Sequence, residues 1–243
     1  MYALLIKEIN SFLNSITGYL VMAVFICTLG LIMWVFPGYL NVLENGYATI
    51  DTLFFISPWV FMFLAPAITM RSFSEEIRTG TLELLLTRPL RDWEIILAKF
   101  FAGFLLVLFS LLPTLLYFYT ISELGNPPYN VDTGGMWGSY LGLLFLAGAF
   151  VSIGLFASSL TSSQIIAFIL AVFMCFICYI GFESVSAFQF FGFIDTLIVN
   201  LGINEHYISM SRGVIDTRDV LYFAGLIGFF LLLTKLKMQS RKW

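Results

Sequence analysis

The sequence predicts an all-α, polytopic membrane protein with six transmembrane helices, an N-terminal interfacial amphipathic helix and outer re-entrant helices. Two observations carry most of this. The 243 residues are 60% hydrophobic and only 11% charged, with a mean hydropathy of +0.94. A soluble domain carries roughly a quarter charged residues, so the apolar surplus is lipid-facing surface rather than an enlarged core. In addition, apolar stretches of the length that crosses a bilayer, ~20 residues for ~30 Å of hydrocarbon, recur along the chain. The 27 Phe, within an aromatic fraction of 18%, suit packing in lipid and belts at its interfaces.

The segment 1–14 comes first and is amphipathic. Tyr2, Leu5, Ile6, Ile9, Phe12 and Leu13 fall on one face at helical spacing, and Lys7, Glu8, Asn10, Ser11 and Asn14 on the other. Such a helix lies in the membrane interface. The first apolar run lacks a basic segment before it and a small-residue cleavage site after it, so no cleavable signal is expected. The expected spans are 16–36, 52–70, 100–120, 136–158 and 163–182, with a shorter sixth at 220–234 whose end Lys235 and Lys237 extend by snorkelling. Pro58, Pro66 and Pro113 are expected to bend their helices. Gly138 and Gly142, four apart in the fourth span, permit close helix approach, inside the bundle or at a subunit interface.

Lys and Arg placement sets orientation. Lys7 precedes the first span, Arg71, Arg78, Arg88, Arg91 and Lys99 lie between the second and third, and Lys235, Lys237, Arg241 and Lys242 follow the last. Only Arg212 and Arg218 fall on the other side, so ten of the twelve basic residues share one side with both termini, which are therefore expected in the cytoplasm. A full seventh span within 183–219 would put the basic C-terminus outside. That segment is accordingly expected to hold one or two short helices dipping into the outer leaflet, which leaves residues 15–243 as one six-span permease domain.

The spans carry no Asp, Glu, Arg or His at mid-membrane depth. Ion-driven carriers place ionisable groups there, and intramembrane hydrolases need nucleophiles with bases or metal ligands. No phosphate-binding glycine loop of the G-x-x-x-x-G-K-[ST] kind is present. The chain is thus not expected to be an enzyme, and no catalytic residues, cofactor, metal site or nucleic-acid partner are expected. Cys27, Cys175 and Cys178 all sit in apolar runs and read as small packing residues rather than as ligands or a disulfide framework. Energy for any uphill transport must come from another polypeptide.

The densest polar segment, 71–94, lies between the second and third spans. Ser72 and Glu75 have capping-box spacing, Gly80 can end the helix in the left-handed conformation, a second short helix follows at 82–86 until Pro89, and Asp92 can cap the third span. On physics alone, a solvated loop of basic residues and a docking element for a soluble partner are equally open.

This segment resembles the signature of type-2 ABC exporter permeases. The matching residues are Arg71, Ser72, Phe73, Glu75, Glu76, Gly80, Thr81, Leu82, Glu83, Leu85, Leu86 and Pro89, followed by Glu94, Ile95 and Lys99. The start, KEINSFLNSITGYLVMAVF, and the tail, ISMSRGVIDTRDVLYF, also look like that family's, so the resemblance covers essentially the whole chain. It is nearest to the gliding-motility permeases, with the nitrous-oxide-reductase maturation permeases as relatives. The resemblance implies a bacterial inner-membrane subunit without ATPase activity of its own. It implies an ABC ATPase partner docked at a coupling helix (Arg71, Ser72, Phe73, Glu75, Glu76, Arg78 and Gly80), and a second permease copy or a homologous membrane subunit with a periplasmic domain. It also places the first and fifth spans at the dimer interface, and matches the outer helix pair to residues 187–216.

Overall fold

The computed structural model describes residues 1–86, 91–186 and 199–240. Among them there is no strand, and six helical stretches are long and apolar enough to cross a membrane. Helix α1 (Tyr2–Leu13) is separate from α2 (Ile16–Gly30), which continues as a π turn, Leu31–Val35. Ser15 marks the break: its hydroxyl donates to Phe12 O at 2.9 Å and accepts from Gly18 N at 3.2 Å, closing one helix and capping the next.

Helix α3 (Asp51–Thr69) runs unbroken through Pro58 and Pro66. Two short helices follow, α4 (Ser74–Thr79) and α5 (Thr81–Leu86). The third span is α6 (Asp92–Leu111), a 3-10 turn at Leu112–Thr114 that contains Pro113, and α7 (Leu115–Leu124). Here the proline does interrupt the α-helix, because its nitrogen cannot donate to the ladder.

Helix α8 (Thr133–Leu160) is the axis of the bundle. It packs against α3, α6, α9 (Gln164–Phe176), α11 (Ile203–Ser211) and α12 (Thr217–Gln239). Its apolar window is 78% buried, whereas those of the first and fifth spans are only 22% buried. A π turn, Ile177–Gly181, joins α9 to α10 (Phe182–Ser186). The sixth span is not short: α12 has 23 residues, because Asp216 caps it by accepting from Arg218 N, and its end runs on past Lys235 and Lys237.

Gly138 and Gly142 act within the bundle. A Cβ on Gly138 would stand 2.5 Å from the Gly213 carbonyl oxygen, and one on Gly142 2.8 Å from Met210 Cβ. Their missing side chains let α11 lie directly on α8. The expected outer re-entrant segment falls partly on residues 187–198, which lie outside the described residues. Of that region, α11 is seen, with Ile203, Tyr207 and Met210 buried and the Tyr207 hydroxyl donating to Phe54 O at 2.7 Å.

Helix α1 and the end of α12 gather at one end of the bundle, the terminal end. Gln239 Nε2 donates to Asp92 Oδ2 at 3.3 Å and Lys235 Nζ stands 5.0 Å from the Trp93 ring centre, so the end of α12 meets the start of α6. The third span is not capped by Asp92. Arg91 is the N-cap, and Glu94 reaches back to accept from Arg91 N at 2.9 Å, because a carboxylate three positions into the helix can satisfy that orphan N–H.

Candidate functional site

At the terminal end, the segment between the second and third spans folds back onto the bundle. The expected Ser72–Glu75 capping box does not form. Helix α4 begins two residues later, at Ser74, with no side-chain cap. Its first donors find a partner in another span: Ser158 Oγ, near the end of α8, accepts from Phe73 N at 3.0 Å and from Ser74 N at 3.1 Å, and donates to Met70 O at 3.2 Å. The Ser74 hydroxyl also donates to Met70 O. A tertiary acceptor has replaced the local one, and it fixes α4 to the central helix.

Gly80 ends α4 as expected, with φ +70°. Nothing lies within 4 Å of where its Cβ would be, so the glycine is required by backbone conformation alone.

The strongest anchor is Lys99. Its side chain is 1% exposed. Nζ donates to Ser72 O at 2.7 Å, Glu76 Oε1 at 2.9 Å and Glu8 Oε1 at 3.1 Å, and stands 5.1 Å from the Phe73 ring centre. Burial of an ammonium is costly unless it is paired and fully hydrogen-bonded; here three oxygens and an aromatic face supply that. The three donors of one cation thus join α1, α4 and α6. Lys7, exposed, adds a second positive charge at 3.6 Å from Glu8 and 3.9 Å from Glu76, which offsets the surplus carboxylate.

The seven residues singled out from the sequence therefore divide. Glu75, Arg78 and Gly80 are exposed. Phe73 is fully buried, Glu76 is turned inward to Lys99, Ser72 offers its carbonyl to the same cation, and Arg71 is half-buried with its Nε unpartnered among the described residues. Sequence reasoning missed Glu8 and Ser158. The sequence pattern puts Glu8 on the polar face of α1, yet it stands four residues after Leu4 and four before Phe12, on the face that packs on α6. Ser158 carries no local signal, since its partners are 84 and more residues away.

Residues 38–191, well over half of the chain and including this whole segment, match the family described as ABC-2 family transporter protein. The chain belongs to the ABC-2 transporter family. It is therefore a membrane permease subunit of an ABC transporter, a subunit class distinct from the ATPases, and membership implies an ABC ATPase partner as well as a bilayer. No curated protein matches it. Helix α4 is short and polar on its outer side, and is bonded to the ends of the third and fourth spans.

Proposed function

We propose that the permease receives the free energy of ATP hydrolysis through α4, with the terminal end of the bundle in the cytoplasm and a partner ATPase seated on the exposed face formed by Glu75, Arg78 and Gly80. One observation carries this reading: α4 is tied to three spans at once, by Lys99 to α6, by Ser158 to α8 and by direct continuity to α3, while its other face is left outward. The basic asymmetry of the sequence supports the orientation. A displacement of α4 then moves three spans together.

Two copies, or one copy and a homologous membrane subunit with a periplasmic domain, complete the pathway along α2 and α9. Both helices present apolar ridges, such as Leu20 and Val24 on the one and Ile165, Ile169 and Phe173 on the other. Resemblance in the coupling segment supports a place in a gliding-motility complex. The outer segments, 37–51, 121–135 and 183–219, are each too short to form a domain of their own. A role as a mechanical transmitter without solute passage would therefore need that partner subunit. Maturation of nitrous oxide reductase is the reading to which the sequence is next most similar. Co-purification in mild detergent separates them: a second membrane subunit with a large outer domain supports the gliding complex, and a copper-site maturation factor supports the other.

The docking reading is tested by reversing Glu75→Lys and Arg78→Glu together. A buried charged contact that loses its partner costs ~2–5 kcal/mol, so ATPase co-purification is expected to fall by more than about tenfold at equal permease expression. Full association by the reversed protein would remove α4 as the docking element.

A further inference from the structure

A cavity of about 480 Å³ opens between α1, α4 and α6, beside Lys99. From Lys99 to Leu106 it follows α6 for about two turns, roughly 10 Å at 1.5 Å per residue, so it is polar at one end and apolar at the other. Phe12, Ile68, Ala102 and Leu106 form the apolar wall. The polar end holds three basic and three acidic side chains, Lys7, Arg71, Lys99, Glu8, Glu75 and Glu76. Lys99 is consumed by its pairing with Glu8 and Glu76. Around that pairing the cavity presents a cationic and an anionic half: the Arg71 guanidinium, whose Nε has no hydrogen-bond partner among the described residues, with Lys7, which is exposed and stands 3.6 Å from Glu8 and 3.9 Å from Glu76; and Glu76 Oε2, likewise without a hydrogen-bond partner, with Glu75 at the rim.

Arg71 and Glu76 both line this cavity and each keeps a polar atom without a hydrogen-bond partner among the described residues, so its charged end suits a ligand that supplies both signs. We propose that this cavity seats one zwitterionic aminophospholipid of the phosphatidylethanolamine type. Its phosphate lies against Arg71 and Lys7, its primary ammonium against Glu76 and Glu75, and the first methylenes of a chain along Phe12, Ile68 and Leu106. Arginine suits a phosphodiester because its planar fork donates two parallel bonds. An anionic lipid would set uncompensated charge against the two glutamates. A choline headgroup has no N–H to donate to them. The apolar wall excludes a free headgroup as the natural occupant. The lipid would wedge the interfacial helix against the third span, and so set the resting position of the Lys99 anchor.

The test uses the purified permease without any ATPase, so its result is independent of the docking reading above. Delipidated protein is titrated with dioleoyl phosphatidylethanolamine, phosphatidylglycerol or phosphatidylcholine, or with glycerophosphoethanolamine, and adducts are counted by native mass spectrometry. One phosphatidylethanolamine per chain is expected, bound at least about fivefold more tightly than either other lipid, with no adduct of the soluble headgroup. Arg71→Gln is expected to weaken it by about fivefold or more, and Ser11→Trp, which fills the cavity from α1, to remove it. Lys7→Gln, at an exposed position, is expected to weaken it by about two- to threefold. No adduct, an adduct of the soluble headgroup, equal binding of the three lipids, tighter binding of phosphatidylglycerol, or unchanged binding in Arg71→Gln, Lys7→Gln or Ser11→Trp would each overturn the proposal.

Discussion

Each end of the bundle holds a cluster of ionisable side chains, and the two are built differently. At the terminal end, Lys99 joins Glu8 and Glu76, which are 91 and 23 residues away in the chain. At the far end, His206 Nδ1 meets Asp219 Oδ1 at 2.7 Å, only 13 residues away, while Nε2 lies 2.9 Å from Asn200 O and the ring stacks on Tyr222 at 3.9 Å. The first cluster ties α1 and α6, which also pack on one another, to α4. The second is a local staple that holds α11 to the start of α12. A long-range tie whose members include a helix with an outward face can pass a displacement into the bundle, whereas a local staple can only hold its own corner.

The comparison breaks most visibly at Lys99. Lys99→Met leaves Glu8 and Glu76 facing one another with one exposed lysine between them. Truncating one member of a buried ion pair costs about 3–5 kcal/mol, and the thermal unfolding midpoint in detergent is expected to fall accordingly. Adding Glu8→Gln and Glu76→Gln to the same chain removes the stranded charges, so most of that loss is expected to return. A triple variant no more stable than Lys99→Met would show that the carboxylates are not held by the lysine.

Ser158→Ala comes next. It strands the Phe73 and Ser74 amides, and a buried unsatisfied donor costs about 1–3 kcal/mol. The expected signature is local: faster hydrogen exchange at residues 73–77, with the far end unchanged. The matching cut at the staple is His206→Phe, which keeps the stack on Tyr222 and removes both polar contacts. It is expected to cost a similar amount, about 1–3 kcal/mol, with exchange rising in α11 and not in α4. Exchange rising at both ends would mean that the clusters are one cooperative unit. The smallest effect is at Gly80→Ala. Its Cβ meets nothing, so only the left-handed backbone is penalised, by about 1–2 kcal/mol, seen as fraying of the last turn of α4.

Most of the fold is legible in the sequence because lipid imposes a length and a composition on every span. The six spans, the separate amphipathic helix, the Gly80 stop and the break at Pro113 all follow from periodicity, punctuation or backbone chemistry. The site is legible only in outline. The motif locates α4, but the local rules assign its start to Ser72 and do not pair Glu76 with Lys99. In fact Ser158 supplies the cap from 84 residues away and Lys99 draws Glu76 inward. Local propensity describes what a segment does when nothing else competes for its donors, and here two tertiary partners do. The sixth span is longer than the apolar run because its ends are set by the Asp216 cap and by lysine stems, and hydropathy sees neither.

On the proposed reading, α4 carries both a docking face and, through Lys99, a transmission anchor, and the two are separable. The direct measurement is the hydrolysis rate of the partner ATPase, titrated against reconstituted permease bearing Lys99→Met, Glu8→Gln and Glu76→Gln together. With the docking face intact, half-saturation is expected within about twofold of the unaltered permease, while maximal stimulation falls by about fivefold or more, the equivalent of ~1 kcal/mol of coupling. His206→Phe is expected to leave both quantities unchanged. Full stimulation by the triple variant would contradict the account, because α4 would then transmit without its anchor.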